Sequence, residues 1–557
     1  MNAPRKVLLA AILVIFATAF STASDIYIAQ NAAGGNTGAD CADAHAAAWF
    51  NSSSNWGSGG SQIGPGTTVN LCGTFNAPAG ASEYLVFQGS GSSSNPITFQ
   101  CDSSSPATIQ AAYWGGNIID LAGNSYLTLN GTNCTIQATA NGTGLANQQN
   151  GGCGICSSAD VSNTTIEHWT ISNLYVHVCS GSGSSETTPC PTTNDSSGGN
   201  NAAIQVWGGS NDTIAYNTIS NVHWGIMFYY GGSTSNSTNV QIYNNTVSGM
   251  DHGVVFGDQG SNSTITSSNC SSAVHDNDFS NMQPWDDNGD NFHHDGIHAW
   301  ANNAPGSYYK GVCFYNNYFH GNMGWHPSGL LSSESLGNAN YYFNNVIGNL
   351  TGNTYCADGL LTHFTGSGTN GTNQVFVNNT IDPGATPCSM GTSGSDNSGA
   401  NFGNTQASGT VFESNLLLSN SQTYVHSDAN SITTSDYNLY GMQPGANPFY
   451  GTCGSGISFS TWQGSCGFDA HGKNTSVTVN SDYTLPSGSS AVGTGTTPAN
   501  MPTAYFTGAP QTFGVSGACG TGCVARSSSG AQDAGAYPYQ AGSASPNPPS
   551  GLTAVVQ

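Results

Sequence analysis

The chain has 557 residues, of which only 6% are charged and 74 are glycine. Five lysines and arginines stand against 29 acidic residues, which gives a formal net charge of −24 at pH 7. Nucleic acids and anionic lipids are bound by clustered basic residues, so this composition excludes both kinds of partner.

The N-terminus carries a targeting segment. Arg5 and Lys6 precede an apolar run over residues 7–20, and small polar residues follow at 21–24. This pattern predicts a secretory signal over residues 1–24, and no other run approaches the ~18 apolar residues of a membrane span. We therefore expect a secreted protein, extracellular or periplasmic, that begins near Asp25 and has a net charge near −26.

Sixteen cysteines, an even number, agree with an oxidising compartment. Sequence does not fix their connectivity, but closeness along the chain suggests three local disulfides: Cys41–Cys72, Cys453–Cys466 and Cys519–Cys523. The segment from Cys153 to Cys156 could bind metal or be redox-active. In a glycine-rich loop of a secreted chain we favour a structural disulfide there.

Four regions follow the signal. Residues 25–125 are predicted to form an N-terminal cap and the first coils, and residues 126–440 to form a repeat array. Residues 441–540 are predicted to contain the last coils and a C-terminal cap. The proline-rich stretch 541–557 reads as a linker or tail.

Within the array, an asparagine, a variable residue and an apolar residue recur every 28 to 40 residues. The asparagines are Asn217, Asn245, Asn277, Asn317, Asn345, Asn379 and Asn415. Such a period indicates a solenoid or a similar array. A single coil cannot bury its apolar face, whereas coils stacked about 4.8 Å apart can. Stacked amides would hydrogen-bond along the axis, so we assign the asparagines a structural role.

Glycines that open strand-like runs mark a second column: Gly225, Gly253, Gly296, Gly329 and Gly359. The coils are rich in β-branched and aromatic residues and are cut by Gly, Asn and Ser, which indicates short strands and turns rather than helices. A β-propeller needs about 40 to 50 residues per blade, and spacings of 28 are too short for it. The pattern favours an all-β, single-stranded parallel β-helix with caps and long loop excursions.

Several short sequence segments resemble those of the right-handed parallel β-helix proteins of the pectate-lyase-like superfamily. Residues 243–247 and 436–440 are similar to their repeats, residues 95–99 to their N-terminal coils, and residues 530–537 to their closing segment. The resemblance spans roughly residues 25–540 and implies the right-handed form of the fold. That superfamily contains lyases, hydrolases, epimerases and non-catalytic surface proteins, so the resemblance leaves the function open.

The densest group of reactive side chains lies in the longest excursion between coils, over residues 285–300. If the glycines align, Asp295 stacks on His252 on one side and on Ser328 on the other. Asp358 then lies two coils from Asp295, roughly 10 Å away. That is near the ~6.5–9.5 Å carboxyl separation of inverting glycosidases.

The candidate catalytic residues are Asp251, His294, Asp295, His298, Glu334 and Asp358. Paired carboxylates suit acid–base cleavage of a glycosidic bond. Alternatively, His294 or His298 would act as the base in a β-elimination. On the outward face, the alignment places His298 beside Val255 and Leu331, and Trp300 beside Gly257 and Ser333. The candidate substrate-binding residues are Tyr229, Trp300 and His363 on this face, together with His252.

Asp286, Asp287 and Asp290 form an oxygen-rich turn that suits Ca²⁺, although a plain solvated turn fits as well. The neighbouring His and Asp residues offer Zn²⁺ or Cu²⁺ ligands, but their spacing matches no standard zinc motif.

Two functions from different classes remain. The first is a monomeric secreted enzyme that cleaves a polysaccharide. Hydrolysis is favoured over Ca²⁺-assisted lyase action, because only Lys310, Lys473 and Arg526 remain to offset a uronate charge. The second is a non-catalytic, adhesive or carbohydrate-binding surface protein.

Overall fold

A computed structural model describes most of the chain. The described residues are 25–140, 152–175, 202–230, 236–258, 264–283, 294–301, 308–323, 327–334, 339–351, 358–362, 373–382, 398–402, 409–418, 423–427, 431–441, 449–451, 453–507, 509–510 and 523–540. The predicted signal, the predicted tail and the predicted Ca²⁺ turn lie outside these residues.

Two long sheets of 14 and 24 strands dominate the described residues. The 24-stranded sheet consists of two separate ladders, which are joined where the strands Thr218–Tyr230 and Thr246–Asp258 each run through both. Together with the 14-stranded sheet these give three ladders of strands, which we call faces 1, 2 and 3. Neighbouring strands within each face are parallel, except that Phe449–Gly451 and Gly454–Ile457 on face 3 pair in the antiparallel direction. The chain is a parallel β-helix, so the predicted all-β, parallel β-helix class is confirmed.

Face 1 is the 14-stranded sheet. Its strands are Asp25–Ala29, His45–Ala46, Thr68–Leu71, Ile97–Cys101, Leu127–Asn130, Thr165–Glu167, Thr213–Ala215, Gln241–Tyr243, Ala273–His275, Cys313–Tyr315, Tyr341–Phe343, Val375–Val377, Thr410–Glu413 and Ile432–Asp436.

Faces 2 and 3 share the 24-stranded sheet. Besides the two long strands, face 2 contains Thr74–Asn76, Ala107–Ala111, Cys134–Ala138, Thr170–Leu174, Asp278–Ser280, Tyr318–Gly321, Val346–Leu350, Thr380–Ile381, Leu416–Leu417, Leu439–Tyr440 and Lys473–Asn474. Face 3 contains Leu85–Val86, Asn117–Asp120, Cys153–Cys156, Ala202–Trp207, His294–Ala301, Pro327–Glu334, Asp358–Thr362, Ser398–Phe402, Thr423–Ser427, Phe449–Gly451 and Gly454–Ile457.

Short elements complete the described chain. The helices are Ala47–Phe50, Phe459–Gly464 and Thr503–Thr507, with 3₁₀ turns at Cys41–Asp43 and Ser53–Asn55. The small sheets are formed by Asn236–Ser237, Thr264–Thr266 and Tyr308–Lys310, by Gly495–Thr496 with Ala531–Gln532, and by Ala509–Pro510 with Cys523–Val524. Among the described residues, no helix is both long and apolar enough to cross a membrane.

The predicted asparagine column forms a continuous buried ladder at the turn between faces 1 and 2. Each side-chain amide donates from Nδ2 to the Oδ1 of the next asparagine at 2.9–3.0 Å, from Asn217 to Asn438. The backbone N–H groups of the same residues donate to the same oxygens. The preceding residues are often asparagines with φ of 52–56°, such as Asn244 and Asn344, because asparagine tolerates this left-handed turn.

The ladder ends at Asp469, which lies buried beneath the last coil. Its Oδ1 accepts hydrogen bonds from Asn438, and its Oδ2 accepts them from Ser435, Tyr440 and Trp462. An acceptor at this end satisfies the final amide N–H groups, which would otherwise be buried without partners.

The apolar residue two positions after each ladder asparagine points into the core. Ile219, Val247, Phe279, Phe319 and Ile347 pair in register on successive coils and are at most 1% exposed. The glycine column has a steric cause. A Cβ on Gly253 would lie 2.4 Å from the Gly296 carbonyl oxygen and 2.5 Å from the Phe279 ring. Only glycine allows the chain to bend here from face 2 to face 3.

Five disulfides lie within the described residues, in agreement with an oxidising compartment. The predicted Cys41–Cys72, Cys453–Cys466 and Cys153–Cys156 bonds are present. Cys101–Cys134 and Cys270–Cys313 also pair, and neither was predicted. For the predicted Cys519–Cys523 bond, Cys519 lies outside the described residues.

Asp212 provides a pH-dependent contribution to the stability of face 1. Its Oδ1 accepts the Thr164 backbone N–H at 2.9 Å, and burial outweighs this bond and raises the pKa of Asp212 to about 8. The stability from neutral Asp212 is therefore complete below the unfolded pKa of about 4 and is lost as the pH rises through 8.

We accordingly expect Asp212→Asn to be more stable than the wild type at pH 8, by on the order of 3 kcal/mol. The difference should shrink steadily as the pH falls and vanish below about pH 4, where the wild-type carboxyl is neutral in both the folded and the unfolded chain. Urea unfolding at several pH values measures it. Equal stability of the two proteins at pH 8 would contradict the raised pKa.

Candidate functional site: a buried His–Asp cluster

Six ionisable side chains converge where face 2 turns into face 3. They come from three successive coils, on strands Thr218–Tyr230, Thr246–Asp258 and His294–Ala301. We call them the His–Asp cluster: His223, Asp251, His252, His294, Asp295 and His298. All six are buried, with both carboxylates completely inaccessible and the imidazole residues 2–9% exposed. Buried charges of this density require mutual compensation.

Asp251 is surrounded by three imidazoles. Its Oδ1 contacts Nδ1 of His252 in a short hydrogen bond. Its Oδ2 lies 3.4 Å from Nε2 of His223 and 3.5 Å from Nε2 of His294. Asp251 thus connects residues from all three coils.

Asp295 lies one coil above His252 and shares that imidazole with Asp251. The backbone positions of His252 and Asp295 pair in register, and His252 Nε2 lies 3.6 Å from Asp295 Oδ2. The same Oδ2 lies 3.4 Å from Nδ1 of His298. The His252 and His298 rings stack with their centroids 5.6 Å apart. The His252 imidazole therefore bridges two carboxylates, while the His298 imidazole contacts the same oxygen of Asp295.

The electrostatics follow from this arrangement. Burial disfavours ionised Asp251, but the charges of His252 and His294, with hydrogen bonds from His223 and His252, hold the pKa of Asp251 well below its usual range. For His252, burial acts to lower the pKa, but the neighbouring Asp251 and then Asp295 raise it to about 10. At neutral pH the pair consists of a carboxylate and an imidazolium.

The predicted alignment is right on one side of Asp295 and wrong on the other. Asp295, His298 and Trp300 pair with His252, Val255 and Gly257 as expected. On the next coil they pair with Gly329, Ser332 and Glu334, one residue beyond the expected Ser328, Leu331 and Ser333. An irregularity between His294 and Asp295 causes the shift, and a glycine alignment does not reveal it.

The shift is compensated on the following coil, where Gly329 pairs with Asp358. Asp358 therefore occupies the column of Asp295 two coils away, as expected, and Glu334 lies on the intervening coil. The structure gives the backbone positions of four further candidate residues, all on face 3: Tyr229, Trp300, Glu334 and Asp358. His363 and the proposed Ca²⁺ ligands Asp286, Asp287 and Asp290 lie outside the described residues.

Sequence reasoning missed His223 and Trp224. His223 contacts Asp251, and the Trp224 ring packs edge-on against His252 at 5.8 Å. The signal was present, because His223 stands two residues before Gly225, as Asp251 does before Gly253 and His294 before Gly296. Reading that column along the whole array would have identified it.

The cluster also contains possible metal ligands. One nitrogen from each of His252 and His298 and one oxygen of Asp295 all lie within 4.8 Å of one another. Two imidazoles and a carboxylate suit a transition metal better than Ca²⁺.

No family model matches this sequence, and no curated protein matches it. Among solved structures, pectate lyase Pel9A matches with 14% identity and a TM-score of 0.38, over 93% of this chain and 98% of its own. A GH136 lacto-N-biosidase from Eubacterium ramulus matches with 12% identity and a TM-score of 0.38, over 82% and 67%. An alginate lyase from Paenibacillus sp. str. FPU-7 matches with 13% identity and a TM-score of 0.31, over 51% and 91%.

Proposed function

We propose that the protein is a secreted polysaccharide-cleaving β-helix enzyme and that bond cleavage takes place at the His–Asp cluster. One observation supports this more than any other. Asp251 and Asp295, on adjacent coils, are both fully buried and are linked through the single imidazole of His252. Ionisable groups held in such mutual contact are more typical of functional sites than of a structural core.

The contacts suggest a division of roles. His298 directs Nδ1 towards Asp295, so its Nε2, which is buried in this structure, lies on the opposite side of the ring and is the atom that would exchange a proton with a glycan. His252 and Asp251 hold Asp295 in position from the other side. His294 and His223 hold Asp251, and they are therefore positioning residues.

Hydrolysis is favoured over elimination by the position of the few basic residues. Cleavage of a uronate polymer by elimination requires a positive group near the sugar carboxylate. Arg526 is buried against Tyr505 and donates to Asn344 and to backbone carbonyls in the C-terminal region. Lys310 and Lys473 are exposed on a small sheet and on the last coil. A neutral or weakly charged glycan needs none of these residues.

A non-catalytic, carbohydrate-binding surface protein is the second candidate. The complete burial of Asp251 and Asp295 favours it, because an inaccessible carboxylate can serve packing of the coils alone. In either case we propose an extracellular or periplasmic monomer that acts on or binds a glycan, with any Ca²⁺ at the Asp286–Asp290 turn.

A glycan panel distinguishes these functions. The full secreted chain is incubated with neutral and uronate polysaccharides, and both new reducing ends and the absorbance of unsaturated uronates are measured. New reducing ends without that absorbance would support hydrolysis. Absorbance would show elimination instead, and retention of a glycan on the protein without cleavage would support the binding function.

A further inference from the structure

The spacing at Asp295 differs from that of the isolated His–Asp pairs elsewhere in the same chain. The pairs His275–Asp276, His320–Asp278 and His471–Asp436 have N···O distances of 2.6, 2.8 and 2.8 Å. Asp295 Oδ2, in contrast, lies 3.6 and 3.4 Å from the nearest nitrogens of His252 and His298. These two contacts are too long for good hydrogen bonds, although the groups are buried and in direct contact.

The distances from Asp295 Oδ2 to the two imidazole nitrogens match those expected between two ligand atoms of one metal ion. Zinc binds imidazole nitrogen and carboxylate oxygen at about 2.0–2.2 Å in a tetrahedron, and the edges of such a tetrahedron measure about 3.3–3.5 Å. The two contacts of Asp295 Oδ2 fall on or close to this range. One nitrogen of each of His252 and His298 and one oxygen of Asp295 also lie within 4.8 Å of one another, so one ion can reach all three residues with small adjustments.

The surroundings of His252 fit a ligand as well. A histidine that binds metal through one nitrogen usually donates the other N–H to a carboxylate, which fixes the ring. His252 directs Nε2 towards Asp295 and Nδ1 towards Asp251, which His223 and His294 in turn contact. The arrangement therefore contains both a set of ligands and the carboxylate that orients one of them.

We propose that His252 Nε2, Asp295 Oδ2 and His298 Nδ1 bind one divalent transition-metal ion of the Zn²⁺ type, and that His252 releases its Nε2 proton as the ion binds. Three protein ligands leave a fourth position for water or a substrate oxygen. The ion would bring two positive charges to a cluster whose other cationic groups are its own imidazoles. The proposal does not depend on glycan cleavage, because the site can bind an ion whether or not the protein is an enzyme.

The test uses the tag-free secreted chain, stripped with a chelator and dialysed. Titration calorimetry with Zn²⁺ should give one equivalent bound, and Co²⁺ should give the visible absorbance of a tetrahedral site. His298→Gln and Asp295→Asn should each weaken Zn²⁺ binding by at least about 100-fold. Asp251→Asn, which alters only the orienting carboxylate, should weaken it by about 10- to 100-fold.

His320→Gln is the matched control, since it removes an imidazole that pairs with Asp278 at an ordinary hydrogen-bond distance. It should bind Zn²⁺ as the wild type does, and thermal unfolding should show that every variant is folded. The proposal is overturned if wild-type protein binds Zn²⁺ no more tightly than folded His298→Gln. It is also overturned if Co²⁺ gives no tetrahedral spectrum. If the wild-type protein binds Zn²⁺ as expected but cleaves no glycan, that result contradicts the proposed function and leaves the metal site intact.

Discussion

We expect Asp295→Asn to lower kcat on the cleaved glycan by about 10³-fold, the range in which loss of a positioned acid–base group falls. The amide has the same shape as the carboxylate but carries no charge. Asp295 Oδ2 contacts both His252 and His298, so the substitution removes the group that orients two imidazoles at once. Initial rates over a range of substrate concentrations separate the effect on kcat from that on KM.

Asp278→Asn is the matched control. It removes the same charge from face 2 of the same coil, where Asp278 pairs with His320 and has no contact with the cluster in the described interactions. We expect its kcat to remain within about twofold of the wild type. If folded Asp295→Asn kept more than a tenth of the wild-type rate, Asp295 would have no part in the chemistry.

The second large effect concerns stability. Asn317→Leu should lower the free energy of unfolding by about 3–5 kcal/mol, because it removes a completely buried group with four hydrogen-bond partners. Asn317 donates to Asn345 and to the Val274 carbonyl, and it accepts from the side chain and the backbone of Asn277. With leucine at this position, the groups of Asn277, Asn345 and Val274 that contact the Asn317 side chain would stay buried and lose that hydrogen bond. Denaturant unfolding measures the loss.

Asn239→Gly is the control for this prediction. Asn239 is exposed, has a φ of 56° and donates to Asn211 in a parallel surface ladder. Glycine adopts the same φ without strain, so we expect a change within about 0.5 kcal/mol. If both variants lost a similar amount of unfolding free energy, burial of the inner asparagine ladder would not add to the stability of the fold.

The architecture could be predicted because its causes are local and repeat in every coil. A buried amide that must hydrogen-bond to the coils above and below is satisfied by asparagine, so the column is visible from Asn217 to Asn415. A bend that leaves no room for a Cβ selects glycine, as at Gly225 and Gly253. The same alignment placed Asp295 on His252 correctly.

The detail of the site could not be predicted in the same way. The one-residue shift between His294 and Asp295 depends on how an excursion rejoins the sheet, and no residue pattern marks it. The burial of all six cluster residues depends on packing between distant parts of the chain. Disulfides such as Cys270–Cys313 depend on which coils become neighbours, which spacing along the chain does not fix.

The central claim is that coil stacking brings Asp295 between His252 and His298. A crystal structure of the zinc-treated protein, with diffraction recorded at the zinc absorption edge, tests it most directly. We expect one anomalous peak about 2.0–2.2 Å from His252 Nε2, Asp295 Oδ2 and His298 Nδ1. A strand shifted by one residue would turn Asp295 to the opposite face, and that register, with no peak between the two imidazoles, would contradict the claim.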